Sequence, residues 1–268
     1  MGRERSRTVQ RLAHAVRTLE GAGFEVRRPF PTRSLEQVDP FLLLDEMGPA
    51  ELGPGEARGA PDHPHRGFET VTYLLAGRMV HRDSQGNSGT LGPGDVQWMT
   101  AGDGVVHSEM PEAAFAARGG RMHGFQLWVN LPRRDKRMNP RYQDVPSARI
   151  PTAEAGGVRA RVIAGEALGK QAVIDTRTPI VYVHYTLEPG ARAVQSVAAG
   201  WAALAYVFGG EGLLGADARL VRDGQMAVFT DEGDEVPLAC PAGAGEPLQA
   251  LLIGGVPLRE PVARYGPF

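Results

Sequence analysis

With a single cysteine, Cys240, the chain cannot close an internal disulfide, and a reducing compartment is its natural setting. That cysteine lies in the apolar stretch VPLACPAG, which reads as a packed strand end and not as a reactive thiol. Lysine is scarce too: Lys136 and Lys170 are the only two among 29 basic residues. Arginine and acid nearly cancel to a net charge of −2, so nothing indicates a basic face for nucleic acid. No apolar run approaches the ~18 residues of a membrane helix, and MGRERSRTVQR has no apolar signal core. A soluble cytoplasmic protein without a membrane partner is expected. Long uninterrupted segments are also missing, because 35 glycines and 21 prolines punctuate the 268 residues. Such punctuation suits many short strands, and the length suits one or two domains of roughly 100 to 200 residues each.

Against these absences stands HPHRGFETVTYLLAG, His63 to Gly77. Side chains on a strand alternate between faces, so His63 and His65, two apart, point the same way. The stretch continues into strand formers, Phe68, Thr70, Val71, Thr72 and Tyr73, and stops at Gly77. A second pair at the same spacing, His107 and Glu109, occurs in VVHSEMP, after a turn at Pro93, Gly94 and Asp95. Two strands that each offer two inward donors can converge on one cation. Three neutral imidazoles and a carboxylate, without thiolate, suit Fe(II) and equally Mn, Co, Ni, Cu or Zn.

The HxH pair, Glu69 four residues on, the later turn and the second histidine together resemble the cupin signature. DPFLLLDEMGP (39–49), DHPHRGFETVTYLLAG (62–77), GDVQWMTAGDGVVHSEMP (94–111), GFQLWVNLP (124–132), GEALG (165–169) and PLREPVARYGPF (257–268) narrow this: the chain resembles the pirin family. The likeness runs in order from about Gly21 onward, and QWMTAG beside HSEMP is its most specific part. It implies an all-β bicupin, two tandem cupin β-barrels (double-stranded β-helices), with Fe(II) in the first. The ligands carried over are His63, His65, His107 and Glu109, the same four reached from strand parity. Glu69, a ligand in most metal cupins, becomes a carboxylate behind the ligating imidazoles. It shares the parity of His63 and is expected to face the barrel interior. Trp98, Met99 and His123 are candidate pocket residues, because they precede the second ligand pair or open a strand that could run past the metal.

The resemblance further implies flavonol (quercetin) 2,3-dioxygenase activity, with flavonol and dioxygen as substrates, carbon monoxide as a product, and Glu109 as the catalytic base. Its rival is a non-enzymatic iron-dependent regulator that binds a protein partner, a transcription factor or metabolic enzyme. A sugar or keto-acid isomerase would need further bases near the metal, and none is identifiable. Pirins usually continue beyond a terminus such as YGPF, into a segment that can pack on the first barrel.

The expected organisation is an N-terminal segment (1–20), a metal-binding barrel (21–132), a proline-punctuated charged linker (133–151) and a metal-free barrel (152–268). In the first segment Val9, Leu12, Val16 and Leu19 recur at helical spacing, which suggests an amphipathic helix or a mobile tail. The second half reads as a copy of the first: TYLLAG matches AYVFGG at an interval of 133 residues, Gly77 to Gly210, and GPGDVQWM matches VRDGQMAVF at 130, Gly94 to Gly224. The copy has VQSVAAGW where the HxH pair should stand, and no histidine after VRDGQ. The remaining histidines, His14, His81 and His184, read as ordinary surface or strand residues.

Overall fold

Period-two alternation and frequent turns produce a chain whose regular structure is almost entirely strand, seen in a computed structural model that describes residues 6–265. The chain divides into two units. Among the described residues, one contains 16–37, 41–149 and 259–265; the other contains 6–15, 38–40 and 150–258. No helix among the described residues is long and apolar enough to cross a membrane.

In the unit that carries the histidine pairs, a seven-stranded antiparallel sheet runs Arg141–Val145, Val96–Thr100, Phe68–Ala76, Gly120–Asn130, Phe41–Leu52, Phe24–Phe30, Val16–Glu20. A four-stranded sheet runs Ala60–His65, Val105–Pro111, Met79–Asp83, Ser88–Leu91. The other unit repeats the plan. Its seven strands run Val9–His14, Gln225–Phe229, Ala202–Gly209, Leu248–Gly255, Ile180–Leu187, Val158–Ala164, Thr152–Ala155. Its four run Arg192–Ser196, Glu235–Ala239, Glu211–Leu214, Arg219–Arg222. Equal strand counts in equal order, with a match in register at the expected intervals, establish the bicupin duplication: Thr72 pairs with Gln97, and Ala205 with Ala227.

Two expectations need correcting. The helical spacing of the N-terminal segment does not form a helix: Val9–His14 and Val16–Glu20 are strands, one in each unit's sheet, and residues 1–5 lie outside the described residues. Both sheets have open edges that need partners, and pairing outweighs a weak local period; Val16 and Leu19 stay 53% and 66% exposed. Arg7 secures the entry to the first strand. Its buried guanidinium donates to the carbonyls of Val197, Ala198, Trp201, Thr230 and Gly233. The charged stretch 133–151 is likewise structured: Arg141–Val145 pairs with Val96–Thr100, and Lys136 donates to Gly67 O and Asn130 Oδ1.

The interior of the second unit is apolar. Val183, Leu187, Ala205, Val207, Leu238 and Leu252 pack in one cluster with Tyr185. Burying each Val or Leu contributes roughly 1.5–3 kcal/mol. The Tyr185 hydroxyl is satisfied inside this cluster by donating to Gln195 Oε1, at 2.6 Å, and Gln195 in turn donates to the carbonyls of Glu166 and Ser196.

Candidate metal centre

His63 and His65 share a face of Ala60–His65, and the antiparallel register sets His107 directly opposite His63. Directly paired residues bring their side chains together, and here the result is a ring of imidazoles. One ligand nitrogen from each of His63, His65 and His107 lies within 4.8 Å of the others. The ring centroids stand 4.5 to 5.0 Å apart.

Their hydrogen bonds suit a cation. His63 Nδ1 lies 2.7 Å from the Pro61 carbonyl and must donate to it, which leaves Nε2 as a lone pair. That Nε2 is 3.1 Å from His65 Nε2. Two nitrogens bound to one ion at about 2.1 Å each, at right angles, would lie about 3 Å apart. His107 is buried with no hydrogen-bond partner on either ring nitrogen, an arrangement that costs free energy unless something fills it. Burial first, then the neighbouring His63 and His81, push His107 down to about 3 against the pull of Asp83. It is therefore neutral, as a ligand must be. Glu109 Oε2 lies 4.0 Å from His107 Nε2. The donor set thus fits a first-row transition metal.

Beside the ring opens a cavity of about 590 Å³, lined by His63, His65 and Glu109 and by alternate residues of three strands. These are Val26 and Arg28; Leu43, Asp45 and Met47; and Gln126 and Trp128. The Trp128 ring packs edge-on against His65 and tilted against Phe68. Arg28 grips the Asp45 carboxylate with two hydrogen bonds, at 2.7 and 2.6 Å. Burial pushes the Asp45 carboxyl up to about 6, against the lowering pull of Arg28.

Four residues expected at or near this site lie elsewhere. Glu69 pairs with Val129 and Thr100, whereas Thr70 and Thr72, on the opposite face, pair with Trp128 and Gln126 of the cavity. Glu69 therefore points away from the imidazoles and accepts a 2.6 Å hydrogen bond from Thr100 Oγ1. Its parity with His63 does not carry through, because Gly67, at φ +79, breaks the chain into two strands of different sheets. Trp98 pairs with Val71 and is buried on the same far face. Met99 faces inward but packs on Ala101, Val105 and Tyr142, outside the cavity lining. His123 bonds Glu46 Oε1 at 2.9 Å, and Arg27 holds the same carboxylate. The strands 24–30 and 41–52 thus carry Arg27–Glu46 on one face and Arg28–Asp45 on the other.

Thr72, Gln126, Asp45 and Arg28 are not singled out by the sequence motifs, although polar residues at alternate positions of apolar strands are a usable signal. His81 is no surface residue. It is buried opposite Glu109, stacks on Tyr142 with centroids 4.7 Å apart, and has no partner for Nδ1. His184 is an ordinary strand residue, bonded to Gln249 Oε1 at 2.9 Å.

Comparison with known proteins agrees with this architecture. The Pirin family model matches residues 23–129, and that of the Pirin C-terminal cupin domain matches 182–268. A pirin-like protein of Solanum lycopersicum is 44% identical over 249 residues, 93% of this chain and 81% of its own. Human pirin is 43% identical over 253 residues, 93% of this chain and 82% of its own. The crystal structure of a quercetin 2,3-dioxygenase from Acinetobacter baumannii superposes with a TM-score of 0.90 at 36% identity, over 98% of this chain and 91% of its own. A bacterial pirin from Escherichia coli, solved with nickel(II), shares the fold at 18% identity, with a TM-score of 0.71 over 92% of this chain and 99% of its own.

Proposed function

The chain belongs to the pirin family, and from that premise we propose that it is a metal-dependent dioxygenase that cleaves flavonols such as quercetin and releases carbon monoxide. The observation that carries this reading is the ring of three imidazoles opening on a cavity of about 590 Å³. That volume falls within the range of roughly 300–1,000 Å³ common for small-molecule sites. In this reading the metal-binding barrel is the unit of residues 16–37, 41–149 and 259–265, and the unit of 6–15, 38–40 and 150–258 is the metal-free one. A single buried cysteine fits a cytoplasmic setting.

His63, His65, His107 and Glu109 would hold the ion, Fe(II) by family resemblance. An ion held there supplies Lewis acidity toward an ionised flavonol hydroxyl and a redox path to dioxygen. The chain's own groups do the rest. Leu43, Met47 and Trp128 give the flat aromatic substrate an apolar bed and exclude water. Glu109, which lines the cavity with Oε2 4.0 Å from His107 Nε2, is the base assigned to take the proton of the flavonol 3-hydroxyl. The A. baumannii relative is described as a quercetin 2,3-dioxygenase, which supports the substrate class.

Metal analysis joined to oxygen uptake on quercetin tests the reading. Stoichiometric metal and oxygen consumption that depends on it are expected. An iron-loaded protein that consumes no oxygen with any flavonol would overturn the enzyme reading and leave a regulator that binds a protein partner.

A further inference from the structure

We infer that Thr72 is a positioning residue for Glu109: its hydroxyl holds one carboxylate oxygen and so turns the other toward the imidazole ring. This rests on Glu109 being a metal ligand, as proposed above. Thr72 Oγ1 lies 2.9 Å from Glu109 Oε1 and 2.7 Å from the Gln126 side-chain oxygen. A hydroxyl has one proton and cannot donate to both. The ionised carboxylate only accepts, so Thr72 must donate to Glu109. The Gln126 amide then turns its nitrogen to Thr72, since amide oxygen and nitrogen are assigned from the network around them. The outcome is a one-way chain, Gln126 N–H to Thr72 O–H to Glu109 Oε1. With Oε1 engaged, Oε2, 4.0 Å from His107 Nε2, is the oxygen left to face the ring.

The pairing that sets His107 opposite His63 slips before Glu109, which comes to face Ala60. On its other side the strand stays in regular register, Glu109 opposite His81. The backbone of Glu109 is thus held, but out of step with the strand of His63 and His65, and the orientation of its carboxylate is left to side-chain contacts. The scaffold itself requires neither group of the chain. Register places Ala205 where Thr72 stands and Leu252 where Gln126 stands, and these two pair in the other barrel as Thr72 and Gln126 do here. Thr72 is only 2% exposed, and at the matching position the duplicate carries a bare methyl side chain with no hydroxyl.

Cobalt(II) titration of the metal-free chain, followed by visible absorption, provides a test independent of turnover, with thermal melts of the apo-protein as the control for folding. Thr72→Val should weaken Co(II) binding about tenfold or more, the scale on which groups behind a ligand act, and should leave the apo melt near that of the parent. Thr72→Ser should restore affinity to within about twofold, and Thr72→Val should add little in a Glu109→Gln background. If Thr72→Val does not fold, Thr72→Ala, which copies Ala205, has the same expected outcome. Parental Co(II) affinity in Thr72→Val alongside weakened binding in Glu109→Gln would overturn the role of Thr72 alone. An equal loss from Thr72→Val in both backgrounds would also overturn it. Unchanged affinity in Glu109→Gln would instead sink the ligand reading beneath it.

Discussion

One rung of paired residues crosses five strands in each barrel, and the two rungs share no chemistry. In the first barrel it reads Asp45, Gln126, Thr72, Gln97, Asp144. In the second it reads Val183, Leu252, Ala205, Ala227, Leu12. The apolar rung shows what the architecture alone requires. Buried polar groups are costly unless partnered, and the first barrel partners them: Arg28 with Asp45, Thr72 with Glu109 and Gln126, Gln97 with Asp144. The strands that hold the imidazoles differ in the same way. Their counterparts, Arg192–Ser196 and Glu235–Ala239, contain no histidine, and Gln195 of the former is tied up with Tyr185. Tyr185 stands where register places Met47 of the cavity wall, opposite Ala250 as Met47 is opposite Gly124. A large side chain in the second barrel thus takes a position that borders open space in the first.

The contrast can be broken most severely at the imidazoles. His65→Ala should abolish stoichiometric metal binding, while His184→Ala, in the second barrel, should leave metal content at the parental level; elemental analysis of both variants decides it. If His184→Ala also loses metal, the second barrel is not the metal-free partner. Next in size is Glu109→Gln. At full metal occupancy its quercetin turnover should fall about 10²–10⁴-fold, the usual contribution of a general base, with little change in thermal unfolding. Parental turnover in that variant would remove Glu109 as the base.

A smaller effect follows from exchanging residues between the rungs. Leu252→Gln buries an amide among aliphatic groups and should cost about 1–3 kcal/mol in urea unfolding. Gln126→Leu, on the cavity wall, should cost less than that. Equal losses would mean that the polar rung is as necessary to folding as the apolar one.

A further effect is one of pH. The folded state raises the Asp45 carboxyl from 3.8 to about 6. The stability it confers is therefore complete below about pH 4 and declines as the pH rises through 6. Asp45→Asn should flatten the dependence of Tm on pH between 4 and 7, whereas Val183→Ala in the matching position should shift Tm without changing that dependence. An unaltered slope in Asp45→Asn would show that burial does not raise the Asp45 carboxyl.

Much of the metal centre is legible in the sequence. The parity of His63 with His65 and of His107 with Glu109 needs only the geometry of a strand, and the intervals of 133 and 130 residues point to the duplicated barrel. The same geometry misleads where it is carried across a break. Counting residues gives Glu69 the phase of His63, although Gly67 separates two strands of different sheets. Trp98 and His123 stand near the ligands in sequence, yet their strands turn them to the far face. The helical spacing of Val9 to Leu19 gives way to two strands, because sheet edges offer more hydrogen bonds than an isolated helix could keep.

Sequence by itself determined whatever is local to the chain: the shared face of His63 with His65 and of His107 with Glu109, the turns between strands and the internal repeat. Only the tertiary structure decided which strands meet. It brought His107 opposite His63, placed Asp45 and Thr72 inside and Glu46 and Glu69 outside, and gave the two N-terminal strands to different sheets. The reason is physical. Alternation is a local property of the backbone, but the face that becomes the inside is chosen by which apolar surfaces can be buried together, and that choice depends on residues far away in the chain.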